Sequence, residues 1–417
     1  MQALIIKINN LMTTNRMKYP WFAGAALWVG WILNLLAGKG KIDLAGHLIG
    51  TDFVAFYTAG KIILMGRSPE LYNLDLAHTI QQGLYGVPSL NYNPYLHPPQ
   101  FALFMAPFAL IPYPWSPLLW IGLGLVCLWL SMMWLGAERP NRYFLWSLTW
   151  LPVFCAATFG QTSFISLAVL SLTYFLWVRK KHLPAGLILS LLFFKPQFLI
   201  AIGLLLLLDW RRSWKALLGL GIGLIAQVGL NLWLFPEASL SYLTYALKIN
   251  SNLMSTIYFS MVNVYSLQGF WLAILPGLKS IAQAIYLICT LIGLCFFLLF
   301  WKRNSNQQTI MYAAAAVLLV FFVPYMMIYD WTLLLIPAVI LWTSAENIRP
   351  LWKAIFAFIW VVTFVSSPLT YLQLRVLPIA IQISIPALLI VIIIAYQGLY
   401  KPSRLETQSI VLPPDHI

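Results

Sequence analysis

Thr51-Asp52-Phe53, Asn93-Pro94-Tyr95-Leu96-His97-Pro98-Pro99, Gly160-Gln161, Lys195-Pro196-Gln197 and Tyr329-Asp330-Trp331 set acid, cation, imidazole and amide side chains inside or beside long apolar runs. Acids are scarce in this chain, with only 11 Asp and Glu among 417 residues. Asp52, a lone carboxylate at the lip of the first apolar segment, is therefore a candidate reaction centre. It either acts as a general base beside a hydroxyl that it deprotonates or caps the loop helix that follows it. Lys195 interrupts an apolar run, where an ammonium is costly unless paired or hydrated. It is either bridged to Asp330 or snorkelling, or it partners a phosphate. Asp330 is then that counter-ion or a second polar group of the site. His97 is an ordinary loop histidine or a hydrogen-bond donor to phosphate; Gln161 caps a helical hairpin or holds a sugar hydroxyl.

The composition says what solvent surrounds these groups. With 61% hydrophobic and 9% charged residues and a mean hydropathy of +0.83, the chain cannot hide its apolar surface in a water-soluble core, so lipid must surround it. The run from Pro20 to Gly38 is too long for a cleavable signal and reads as a retained first span. The net charge of +14 is dealt out in small groups between apolar segments. That is the positive-inside pattern rather than a nucleic-acid-binding face, and no nucleic acid partner is expected. Cys127, Cys155, Cys289 and Cys295 all lie within apolar runs without metal-like or paired spacing and read as small buried hydrophobes.

Seventeen of the 25 Lys and Arg fall in seven places: the N-terminus, Arg139/Arg142, Arg179 to Lys181, Arg211/Arg212/Lys215, Lys302/Arg303, Arg349/Lys353 and Lys401/Arg404. If all seven are cytoplasmic, both termini are inside and Asp52 is outside. Spans are then expected near Ser116 to Leu135, Tyr143 to Phe159, Thr162 to Val178, Trp214 to Phe235, Ile281 to Trp301, Ile310 to Met327, Trp331 to Thr343, Trp352 to Ser367 and Leu377 to Tyr396. The expected fold is an all-α polytopic membrane protein with about ten full spans plus about three short or re-entrant helices. Residues 1–400 form one module, with outer loops at about 39–98 and 236–280, followed by a cytoplasmic tail at 401–417. The second outer loop carries Asn250, Asn252, Ser255, Asn263, Tyr265 and Gln268.

The short elements are forced by proline. Lys195-Pro196 divides Leu183 to Leu208 into arms of about a dozen residues, about 18 Å each, against about 30 Å of hydrocarbon. Such a break is tolerated only where protein or a wet cavity covers it. Pro99 to Ile111 is likewise a partial helix. In the first outer loop, Phe53, Phe56, Tyr57 and Leu64 fall near helical spacing, Gly66 offers a stop, and Ser68-Pro69-Glu70 reads as a helix start. Two amphipathic helices at the membrane surface are expected there.

Thr51-Asp52-Phe53 with Tyr57 and Gly60, Gly66-Arg67-Ser68-Pro69 with Tyr72, Tyr95 to Phe101 and Ala106 to Tyr113 together resemble glycosyltransferase family 87. Gly160-Gln161, Lys195-Pro196-Gln197 and Pro324 with Tyr329-Asp330 continue the resemblance to about residue 340. It implies the GT-C architecture and an enzyme of the cytoplasmic (inner) membrane whose active site faces outward. Such an enzyme moves a sugar, a hexose such as mannose, from a polyprenyl-phosphate donor to a lipid or glycan acceptor. It also implies Asp52 as base; Lys195 and His97, by the readings above, are then expected at the donor phosphate, and Tyr57, Gln161, Gln197, Tyr329 and Asp330 around the substrates. Glu70 and Asp75 stand off the motif, so the acid pair of other GT-C families is absent and neither metal nor cofactor is expected. The rival classes are a transporter or lipid flippase, which also uses broken helices and buried charge, and a non-catalytic scaffold. Two related halves would favour transport, and the chain has none.

Overall fold

The computed structural model describes residues 18–86, 93–136, 138–245, 263–344 and 349–400, with 7, 10 and 16 besides, and side chains as far as 396. Asn250, Asn252, Ser255 and the tail from 401 lie outside the described residues. Among the described residues every regular element is helical, and the β contacts are isolated bridges such as Val264 with Met327.

Among the described residues five helices are long and apolar enough to cross a membrane: Lys18–Leu36, Trp115–Trp134, Trp210–Leu234, Lys279–Asn304 and Arg349–Val376. The pair Leu151–Thr158 and Ser163–Val178, bent by 118°, makes a sixth if counted as one span. The expectation of about ten spans is not confirmed, because the remaining apolar runs among the described residues form shorter helices, several of them cut by proline. Pro152 opens a new helix at Leu151, so the expected span from Tyr143 to Phe159 is two short helices, Pro140–Ser147 and Leu151–Thr158. The run beginning near Trp331 is a 3-10 turn, Ile328–Leu334, before Leu335–Ser344. Further on, one helix of 28 residues, Arg349–Val376, occupies the place of the span expected to stop at Ser367.

The broken run falls where its proline requires. His182–Ser190 and the 3-10 turn Leu191–Phe194 precede Lys195; the turn Pro196–Phe198 and helix Leu199–Leu208 follow it. His182–Ser190 lies directly against Trp210–Leu234. A Cβ on Gly186 would stand 1.9 Å from the Ala216 carbonyl oxygen, so only glycine allows this approach.

The first outer loop differs from expectation in a way that matters for the site. Helix Phe53–Leu64 does not lie on a surface, since Phe53 to Gly60 and Ile62 are all buried. It packs on Pro99–Leu110, where a Cβ on Gly60 would come within 2.7 Å of the Met105 carbonyl. Ser68–Glu70 forms only a 3-10 turn. The second helix begins at Leu74, with the Asn73 side chain accepting from the N–H groups of Asp75 and Leu76, and this one is amphipathic.

Candidate active site

Helices Leu151–Thr158 and Ser163–Val178 reverse direction through Gly160, whose φ is +68°, a conformation that glycine adopts without steric cost. The missing side chain also lets the first outer loop close onto this turn: a Cβ on Gly160 would stand 2.6 Å from the Cβ of Phe53. The Phe159 carbonyl accepts the N–H groups of Asp52 at 3.0 Å and Phe53 at 3.2 Å. Trp120 Nε1 donates to the Gly160 carbonyl at 2.9 Å. The other end of the loop is stitched to the same place, because Asn93 Nδ2 donates to the Thr51 carbonyl and Gln81 exchanges two hydrogen bonds with the Asn93 backbone.

This clasp sets the carboxylate of Asp52 beside Gln161, whose Nε2 donates to Oδ2 at 2.6 Å. Asp52 occupies the N-cap position of Phe53–Leu64, yet its side chain caps nothing. Burial raises the Asp52 carboxyl from its ordinary value of 3.8 to about 6. The Gln161 hydrogen bond and the Lys195 charge pull it down, and the Asp330 charge pushes it up. Asp52 thus titrates just below neutrality, as suits a general base, and shares one electrostatic field with Lys195 and Asp330.

Lys195 sits at the break itself, in a non-helical conformation (φ −132°, ψ 71°) between the two 3-10 turns. Its Nζ donates to Asp330 Oδ1 at 3.0 Å, with both residues buried. It also lies 5.2 Å from the Phe198 ring and 5.6 Å from the Tyr329 ring. The counter-ion reading of Asp330 is therefore realised in this state. Among the described residues Nζ makes this one hydrogen bond, which leaves two of its three hydrogens for another acceptor.

The His97 ring packs between aromatic neighbours, 5.0 Å from Phe101, 5.1 Å from Phe56 and 6.2 Å from Phe194. Neither ring nitrogen has a hydrogen-bond partner among the described residues. Burial and the Lys195 charge push the imidazole down to about 3. His97 is neutral near pH 7, so it offers one N–H and one lone pair rather than a charge.

Tyr329 is buried with its ring 6.1 Å from Phe159, which brings it beside the turn. Gln197 is partly buried and makes no hydrogen bond among the described residues. Tyr57 is directed elsewhere: it is buried, and its hydroxyl donates to the Ile111 carbonyl at 3.1 Å. Sequence reasoning missed Ser163, whose Oγ donates to Asp330 Oδ1 at 2.7 Å. Its place two residues after Gln161 marks a helix start, but nothing local shows a partner so distant in the chain.

The structure thus joins Asp52, Gln161, Ser163, Lys195, Tyr329 and Asp330 around one turn, with His97 close enough to feel the lysine. The family model described as glycosyltransferase family 87 matches residues 95–329. No curated protein and no solved structure matches the chain. The matched stretch holds His97, Gln161, Lys195, Gln197 and Tyr329, while Asp52, Tyr57 and Asp330 lie outside it.

Proposed function

The chain belongs to glycosyltransferase family 87, within the GT-C superfamily, and from that premise we propose that it transfers a sugar from a polyprenyl-phosphate donor to a lipid or glycan acceptor outside the cytoplasmic membrane. The observation that carries the reading is a raised carboxylate, Asp52, held by Gln161 in the field of a buried lysine. In a single displacement, the acceptor hydroxyl oxygen attacks the anomeric carbon and its proton passes to Asp52. The bond from that carbon to the phosphate oxygen breaks, and the lipid phosphate leaves with the electron pair. The configuration inverts. Lys195 opposes the charge that gathers on the departing phosphate, and His97 gives it a neutral N–H donor. Gln161 holds Asp52 in place beside the acceptor, and Gln197, Tyr329 and Asp330 border the sugar. A hexose such as mannose is the sugar we favour.

The test is a donor-binding and transfer assay on purified Asp52→Asn. The variant should bind polyprenyl-phosphate sugar as the wild type does and transfer it at least about a thousandfold more slowly, the scale of losing a general base. Undiminished transfer would remove Asp52 from the role.

A further inference from the structure

One turn holds both carboxylates of the site. Gln161 and Ser163 are two residues apart; the first donates to Asp52 Oδ2 at 2.6 Å and the second to Asp330 Oδ1 at 2.7 Å. Lys195 Nζ converges on that same Asp330 oxygen at 3.0 Å. Ser163 is fully buried, with Lys195 and Asp330 nearly so, so neither charge has bulk water to fall back on. A buried carboxylate stripped of its only donor is costly. If Lys195 alone satisfied Asp330, an incoming phosphate would have to strand that charge to recruit the lysine.

We propose that Ser163 is a positioning residue that lets Lys195 turn from Asp330 to the donor phosphate, because its hydroxyl keeps Asp330 Oδ1 hydrogen-bonded when the ammonium leaves. The inference rests on the phosphate role proposed for Lys195. It adds that Asp330 is a resting place competing with the phosphate, and that Ser163 sets how strongly it competes. Removing the serine hydroxyl ties the lysine more tightly to Asp330; removing the Asp330 charge frees it. The two changes therefore act on phosphate affinity in opposite directions, whereas a merely structural role would weaken binding in both.

The experiment measures binding of farnesyl phosphate, a short polyprenyl monophosphate, to the detergent-solubilised full chain by calorimetry, with thermal unfolding recorded for each variant. Lys195→Met should abolish binding. Ser163→Ala should bind roughly tenfold more weakly, the scale of one hydrogen bond to a charged group. Ser163→Thr, which restores a hydroxyl, should bind as the wild type does, and Asp330→Asn should bind more tightly. If Ser163→Ala does not fold, the opposite shift in Asp330→Asn and the retained affinity of Ser163→Thr still decide the matter. Loss of binding in Lys195→Met with unchanged affinity in Ser163→Ala, or weaker binding in Asp330→Asn, overturns the role of Ser163 and leaves the phosphate reading standing. Equal binding by wild type and Lys195→Met overturns both.

Discussion

Asp52 shows why burial, more than residue type, decides what a carboxylate does. An exposed aspartate near its ordinary value of 3.8 is a weak base at neutral pH; raised to about 6 it is still mostly ionised there and a far better proton acceptor. The rate of transfer at limiting donor should therefore fall as pH drops through about 6, a limb read from a pH profile of kcat/KM. The same shift costs stability. Between about 4 and about 6 the folded protein holds a proton on Asp52 that the unfolded chain has released, so stability declines as pH rises through that window. The cost is up to about 3 kcal/mol, and it persists above the window. Asp52→Asn should accordingly unfold at a higher temperature than wild type at pH 7.5, with the difference vanishing below pH 4. A variant no more stable at pH 7.5 would contradict the burial account.

At the scale of elements, the site depends on breaks rather than on complete helices. Gly160, Lys195-Pro196 and the 3-10 turn Ile328–Leu334 each interrupt an apolar run, and each interruption delivers a polar group to the same place. Such backbone is stable in a membrane protein only when its polar groups find partners inside the protein. Phe159 and Gly160 meet this condition by accepting hydrogen bonds from Asp52, Phe53 and Trp120. Gly160→Ala would impose a side chain at φ +68° and 2.6 Å from the Phe53 Cβ. We expect it to destabilise the protein by about 2 kcal/mol. It should also lower transfer more than tenfold by moving Asp52 off Gln161, as measured by thermal unfolding and a transfer assay. Wild-type transfer in a folded Gly160→Ala protein would show that the close approach is dispensable.

On the scale of the whole molecule, family membership makes the chain a glycosyltransferase, which sets aside the transporter and scaffold readings. The distribution of basic residues still argues that the Asp52 side faces outward. In cells, single cysteines placed at exposed Leu74 in the first loop and Ser305 near the Lys302/Arg303 cluster should react differently with a membrane-impermeant maleimide. The first should label in intact cells and the second only after permeabilisation; the reverse pattern would invert the topology. The sequence by itself determined the all-helical membrane class, the family, and the break at Lys195-Pro196, because hydropathy, charge placement and proline act locally along the chain. It also named Asp52, Lys195 and Asp330 as anomalies, since charge is conspicuous where nearly everything else is apolar. Only the tertiary structure decided that Asp52 binds Gln161 instead of capping its own helix, that Ser163 shares Asp330 with Lys195, and that Tyr57 bonds to Ile111. Of the ten expected spans, five or six are long, apolar helices among the described residues. Hydropathy measures how apolar a run is, not whether lipid or neighbouring helices cover it, and hydrogen-bond partners far apart in the chain are selected only when helices pack.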